Sequence, residues 1–238
     1  MATNAEEKTQ RRERGSARPR VPARERGIQR FALLLDATDA LLNEKHADDV
    51  GLYQIAERAN VPPASVYHFF PTKDAAFLAL TRRYLEGFEK IFLEPIEAAA
   101  LTNWLTLLDR DRQRSVAYFN EHPAAMKLLL GRYGGQEARQ ADLEFNKQGG
   151  AGLYARLKAT FVMPKVEGAR DKFRIVLEIQ DAIWAISFAE HGHITSAYEE
   201  EASRACRAYL RLYFPEYVAL REEHRETVAK GLPIKLGE

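Results

Sequence analysis

At 238 residues, 46% of them hydrophobic, the chain is long enough to bury a core without disulfides or metals, as one large domain or two small ones. Its 35 basic and 34 acidic residues leave a net charge of +1, which excludes a polycation and shifts any case for a nucleic-acid partner from total charge to its distribution. No apolar run nears the roughly 20 residues that span a bilayer, and no apolar stretch follows the Arg-rich N-terminus as in a signal peptide, so a cytoplasmic protein is expected.

The single cysteine, Cys206, cannot form an intramolecular disulfide and does not make a zinc site, and no cofactor is expected. In chain order, the first feature is a basic arm over residues 1–26. Lys8, Arg11, Arg12, Arg14, Arg18, Arg20, Arg24 and Arg26 are offset after Lys8 only by Glu13 and Glu25, among Gly15, Ser16, Pro19 and Pro22. Such a segment reads as either a solvated tail or a DNA-contacting arm.

Helical periodicity begins at once after it. Phe31, Leu34, Leu35, Thr38, Leu41 and Leu42 predict a helix over about 27–44, and Leu52, Ile55, Ala56 and Ala59 predict a second of two turns. Asn60-Val61-Pro62-Pro63 breaks it: asparagine tolerates the left-handed conformation that ends a helix, and proline suits the first turn of the next. A third helix follows over about 63–70. Pro71 stops it, Thr72 is a good N-cap, and a fourth helix over about 73–93 starts with Asp74 at the positive end of its dipole.

Downstream, helices are predicted at about 96–120, 123–130, 136–161, 171–190 and 195–214, with a tail helix after Pro215; Gly149, Gly150 and Gly152 are expected to kink the third of these. No strand alternation competes, and the fold class is all-α: a three-helix N-terminal unit ahead of a helical C-terminal domain.

Two short helices joined by a tight turn, with a third before them, make a helix-turn-helix whose second short helix enters the major groove. Val66, Phe69 and Phe70 suit its core face, which leaves Pro63, Ala64, Ser65, Tyr67 and His68 to project outward. Lys73 then opens the next helix, where free backbone N–H groups and an ammonium together favour phosphate.

The segment from Leu34 to Phe77 resembles the TetR family of regulators without a gap, most tellingly at Ile55-Ala56, at Asn60-Val61 and in Ser65-Val66-Tyr67-His68-Phe69-Phe70-Pro71-Thr72-Lys73. The resemblance implies phosphate contacts from Tyr67 and Lys73, base or backbone contacts from Pro63, Ala64, Ser65 and His68, and phosphate at the first turn of the second helix, Gly51 and Tyr53. Gly51 stands where the family usually has Ser or Thr, Asn60 and His46 replace common glycines, and Pro62 replaces a capping serine at about 1 kcal/mol. These departures bear on which DNA is bound.

The resemblance further implies domains at 27–93, with the helix-turn-helix at about 51–70, and at 94–238 for ligand binding and dimerisation. Between Phe173 and Phe188 apolar residues surround the helix, so both faces need cover; Ile179, Ile186, Ala202, Ala205 and Tyr209 are the candidate dimer contacts. Trp104, Phe119, Met126, Tyr133, Phe145, Phe161, Tyr154, Trp184 and Phe188 are candidates either to line a ligand cavity or to fill the core, with Asn120, His122, Arg132, Gln180 and Asp181 as polar candidates. His191 and His193 beside Glu190 lack a third ligand, so no metal is expected, and no catalytic motif argues for an enzyme. The expected function is a homodimeric repressor, released from palindromic double-stranded DNA by a small apolar effector. The alternatives are a constitutive regulator or activator without ligand, and a helical enzyme with a vestigial DNA domain.

Overall fold

The computed structural model describes residues 18–236. Among them the chain forms ten α-helices: α1 (Glu25–Glu44), α2 (Leu52–Arg58), α3 (Pro63–Phe69), α4 (Lys73–Phe92), α5 (Trp104–Glu121), α6 (Pro123–Leu129), α7 (Gly135–Thr160), α8 (Ala169–His191), α9 (Ser196–Arg211) and α10 (Glu222–Ala229). The fold is all-α, and none of the described helices is long and apolar enough to cross a membrane.

Local chemistry sets most of the boundaries. Asn60 sits at φ 52° and ends α2, with the Val61 N–H donating to the Ala56 carbonyl at 3.0 Å. Pro63 occupies the first turn of α3, and the Thr72 hydroxyl caps α4 by accepting from the Ala75 N–H at 3.1 Å. Gly168 and Gly192, both left-handed, bracket α8.

Residues 96–103 depart from the expected helix. Ile96 and Ile234 exchange backbone hydrogen bonds of 2.9 Å each way, so the chain after Pro215 returns to hold Ile96 extended. A 3-10 turn at Ala98–Leu101 follows, and α5 starts only at Trp104, where the Asn103 side chain accepts from the Leu105 N–H at 2.9 Å.

α7 runs unbroken through Gly149, Gly150 and Gly152. Gly150 provides room rather than a break: a Cβ there would lie 2.5 Å from the Arg174 nitrogen and 2.8 Å from its Cα. The backbones of α7 and α8 therefore approach more closely than any larger residue would permit.

The helix-turn-helix has no core of its own. One apolar cluster runs from Leu34, Ile55, Val66 and Phe70 through Phe77 and Leu80 of α4 to Phe119, Met126 and Trp184. A second, around Trp104, Phe161, Phe173, Leu210 and Phe214, closes the far end of the C-terminal bundle under the returning tail.

Candidate nucleic-acid interface and ligand cavity

α3 buries Val66 and Phe69, with Phe70 buried just after it, and exposes Pro63, Ala64, Tyr67 and His68, while Ser65 is half-buried. Tyr53 on α2 is exposed and meets Tyr67 edge to face, with ring centroids 6.1 Å apart. Gly51 is the N-cap of α2 and offers no side-chain cap. Lys73, the first residue of α4, has its ammonium 3.8 Å from Asp48 and 5.8 Å from the Phe77 ring centroid, so among the described residues only an exposed carboxylate competes for it.

The described end of the basic segment lies against this helix. The Arg20 N–H donates to the Phe69 carbonyl at 2.8 Å and its guanidinium to the His68 carbonyl at 3.3 Å, capping the C-terminal end of α3. Lys8, Arg11, Arg12 and Arg14 lie outside the described residues. No sequence signal marks the Arg20 contact, because both of its acceptors are backbone carbonyls.

A cavity of about 440 Å³ opens among α4, α5, α7 and α8, with Leu85, Phe88, Phe119, Phe145, Val176 and Trp184 among its apolar walls. Of the aromatics proposed from sequence, Phe119, Phe145 and Trp184 line it; the others do not. Trp104 is fully buried in the second core, its indole N–H donating to the Pro215 and Glu216 carbonyls at 3.1 Å, and Phe161 joins that core. Tyr154 stacks on Phe173 at 5.5 Å, and Met126 is a buried core residue of α6. Phe188 packs against the first core beside Gly131, and Tyr133 sits at the surface, edge-on to His46. An aromatic at helical spacing has the same pattern whether it meets a cavity or another ring.

Polar groups enter the cavity at two places. From α5 and the C-terminal half of α7 come Asp111, Arg112, Ser115 and Arg156. Arg156 pairs with Asp111 at 3.2 Å, and Arg112 with Asp109. Burial pushes the Asp111 carboxyl up and the Arg112 guanidinium down from their usual ranges.

The second group is Asp142 and Asn146 of α7 with Gln180 and Asp181 of α8. Arg139 donates to Asp142 and, at 2.7 Å, to Glu178, while the Asn146 amide donates to Glu178 at 3.1 Å and Asp181 at 3.0 Å. Burial and then the Asp142 charge push the Asp181 carboxyl up to about 8; burial outweighs Arg139 to raise Asp142 to about 6. Asp142 and Asn146 were legible only as polar positions one helical turn apart. Of the other polar candidates, Asn120 is used up on the Ile194 backbone, His122 on the Tyr118 carbonyl, and Arg132 borders a small crevice behind Asp181.

On the outer side of α8 and α9, Ile175 and Ile186 are exposed and Ile179, Ala205 and Tyr209 partly so. Ala202 is different: with Cys206 and Leu210 it forms the inward stripe of α9 and is fully buried within the subunit, so it cannot reach a partner. Among the described residues no three His, Cys, Asp or Glu side chains converge to hold a metal; His193 bonds instead to the His191 carbonyl at 3.0 Å.

α6 joins the two parts. Lys127 donates to the Leu42 and Lys45 carbonyls at the end of α1, the Asn43 side chain accepts from the Ala124 N–H at 3.0 Å, and His46 is 3.2 Å from the Tyr133 hydroxyl.

Residues 34–80 match the model of the bacterial regulatory proteins of the tetR family. Among solved structures, a TetR-family transcriptional regulator from Streptomyces coelicolor is 26% identical with a TM-score of 0.57, over 77% of this chain and 97% of that one. SmeT, the repressor of the Stenotrophomonas maltophilia multidrug efflux pump SmeDEF, is 17% identical with a TM-score of 0.57, over 78% and 91%. The multidrug binding protein EbrR, solved with imidazole, is 20% identical with a TM-score of 0.56, over 76% and 89%. No curated protein matches the sequence.

Proposed function

We propose that this chain, whose residues 34–80 match the tetR family model, is a DNA-binding transcriptional regulator of that family and acts in the cytoplasm as a homodimeric repressor released from a palindromic operator by a small, largely apolar effector. Residues 1–26 serve as a basic arm, 27–93 as the DNA-binding domain and 94–238 as the effector and dimer domain. Pro63, Ala64, Ser65 and His68 read or approach bases, and Gly51, Tyr53, Tyr67 and Lys73 hold phosphate. Ile179, Ile186, Ala205 and Tyr209 meet the partner subunit.

One observation carries the effector reading: α4 serves both places. Its first residue is Lys73 on the proposed DNA face, and three to four turns later Leu85 and Phe88 of the same helix line the cavity. A rigid helix with one end on phosphate and the other on a ligand couples the two, since an occupant that tilts it alters the spacing of the recognition helices. The α6 clamp on the end of α1 gives the same movement a second route.

The test begins by selecting bound fragments from random double-stranded DNA and measuring the selected site's affinity with and without apolar compounds. Release by a compound that also raises the melting temperature supports the reading. Tight DNA binding that no thermally stabilising compound disturbs makes the protein a constitutive regulator instead.

A further inference from the structure

The α5 wall of the cavity carries more cation than acid. Asp109 is shared by Arg112 and Arg207, and Asp111 by Arg110 at 3.1 Å and Arg156 at 3.2 Å. Among the described residues only Arg110 of these four reaches a further acid, Glu97. The arginines of this network therefore outnumber its carboxylates. Arg112 shows the shortfall: its burial outweighs the acids around it, Asp111 and Glu199 included, and holds its guanidinium below the usual range.

Hydrogen bonding shows the same imbalance. The Arg112 Nε and the Arg156 Nε are buried donors with no acceptor among the described residues. The Arg156 Nη1 and the Asp111 Oδ2 also lack a hydrogen bond, but they lie 3.2 Å apart and answer each other as an ion pair. The Trp184 indole N–H is a further unmet donor, yet its side chain has no accessible surface and no ligand reaches it. Arg112 differs, with 4% of its surface open, and so does Arg156, whose side chain is 15% exposed; both line the cavity. A buried donor left without an acceptor is costly, and more so on a charged group. Gln180 of α8, nine-tenths buried on the same walls, adds an amide donor.

The opposite wall does not cancel this excess. Arg139 holds Asp142, and Asp181, its carboxyl raised to about 8 by burial and then by the Asp142 charge, keeps its proton near neutral pH. Much of the remaining wall is apolar. Phe92, Phe145, Leu153 and Leu177 are only half-buried where they line the cavity, and the Phe92 ring centroid lies 5.8 Å from the Arg156 guanidinium carbon.

Unmet guanidinium donors on one wall of an otherwise largely apolar space are the environment that recognises an amphipathic acid, because the fork of an arginine matches a carboxylate. We propose that the cavity takes an aromatic or alkyl carboxylate, its acid group seated against the Arg112 and Arg156 guanidiniums and its apolar body against Phe92, Phe145, Leu153 and Leu177. This inference rests on the effector reading of the cavity and deepens it from an apolar ligand to an apolar acid. A volume of about 440 Å³ admits a drug-sized molecule.

The test uses the full chain at neutral pH and three ligands of one shape: biphenyl-para-carboxylate, its uncharged isostere biphenyl-para-carboxamide, and para-methylbiphenyl, which has no acceptor. Titration calorimetry and thermal shift read the affinities. The expected result is that the carboxylate binds on the order of tenfold more tightly than the carboxamide, and the carboxamide more tightly than methylbiphenyl. Arg112→Met and Arg156→Met each remove one guanidinium, while Asp109 keeps Arg207 and Asp111 keeps Arg110. Each variant should bring the carboxylate down to the carboxamide. Arg156→Met, at the less buried of the two positions, decides the matter if Arg112→Met does not fold. Equal binding of carboxylate and carboxamide by the wild type, a preference for methylbiphenyl, or folded methionine variants that hold the carboxylate as tightly as the wild type overturns the acid assignment and leaves the cavity an effector site. If none of the three binds, the acid inference falls; the effector reading falls as well only if apolar compounds also fail to shift the melting temperature or release DNA.

Discussion

Two glycines two positions apart in α7 give opposite expectations from the same substitution. A Cβ at Gly152 meets nothing within 4 Å, and the residue lies in a helix interior, so Gly152→Ala gains helix propensity without a steric cost. That gain is about 0.8–1 kcal/mol, or a rise of roughly 2–4 °C in melting temperature for a chain of this size. At Gly150 the same methyl would stand 2.5 Å from the Arg174 nitrogen, 2.8 Å from its Cα and 3.0 Å from the Arg170 carbonyl oxygen. These are backbone atoms and cannot rotate aside, so α8 must retreat by roughly 1 Å. Overpacking of this kind costs about 1–3 kcal/mol, which cancels the propensity gain at its lower end and leaves Gly150→Ala about 2 kcal/mol less stable at its upper end. The two variants should then differ by several degrees, with wild type between them, in thermal melts at one protein concentration and pH, since the melting temperature of any dimer depends on concentration. Equal rises for both would mean that α7 and α8 do not touch as described, and the cavity wall they form would lose its basis.

Lys73→Ala and Tyr67→Phe should weaken a selected operator and random DNA together, Lys73→Ala lowering the salt slope by about two per dimer, whereas Ser65→Ala and His68→Ala should cost about 1–3 kcal/mol on the operator alone; fluorescence anisotropy on both DNAs over a salt series separates the two classes, and His68→Ala weakening both equally would remove it from base readout. Deleting residues 1–17 should flatten the salt dependence without lowering the melting temperature, while deleting through Ala23 should also lower the melting temperature, because it removes the Arg20 cap on the Phe69 and His68 carbonyls; an unchanged salt slope in both would make the arm a solvated tail. Ile186→Glu places a charge on an exposed apolar position of α8 and should give folded monomers by light scattering, whereas Ala202→Glu, at a fully buried position of α9, should disrupt the fold itself; a folded Ile186→Glu dimer would move the interface elsewhere.

The helix-turn-helix was legible because its information is local. Asn60, Pro63, Pro71 and Thr72 each fix a boundary through their own backbone or side-chain chemistry, and the burial of Val66, Phe69 and Phe70 follows from a spacing of three and four. Residues 96–103 were misread for the converse reason. Their apolar pattern is compatible with a helix, and what holds Ile96 extended is a pairing with Ile234 at the other end of the chain. The kink anticipated at the α7 glycines failed similarly: Gly150 answers to the backbone of α8, which no reading confined to α7 contains.

The cavity was the least legible part, because a cavity belongs to several helices at once. Trp104 and Trp184 are both fully buried tryptophans on amphipathic helices, yet one indole N–H is satisfied by the Pro215 and Glu216 carbonyls and the other has no acceptor among the described residues. Nothing in either neighbourhood of sequence separates them. Asp181 was visible as a polar residue on an apolar helix, but its meaning depends on a subtraction made across α7 and α8: Arg139 is committed to Asp142 and Glu178, so Asp181 is the acid left over. Charge counted along the chain balances almost to zero, whereas charge counted around the cavity does not. Burial of its carboxyl and the neighbouring Asp142 charge push Asp181 up to about 8, a remainder that no count along the chain contains.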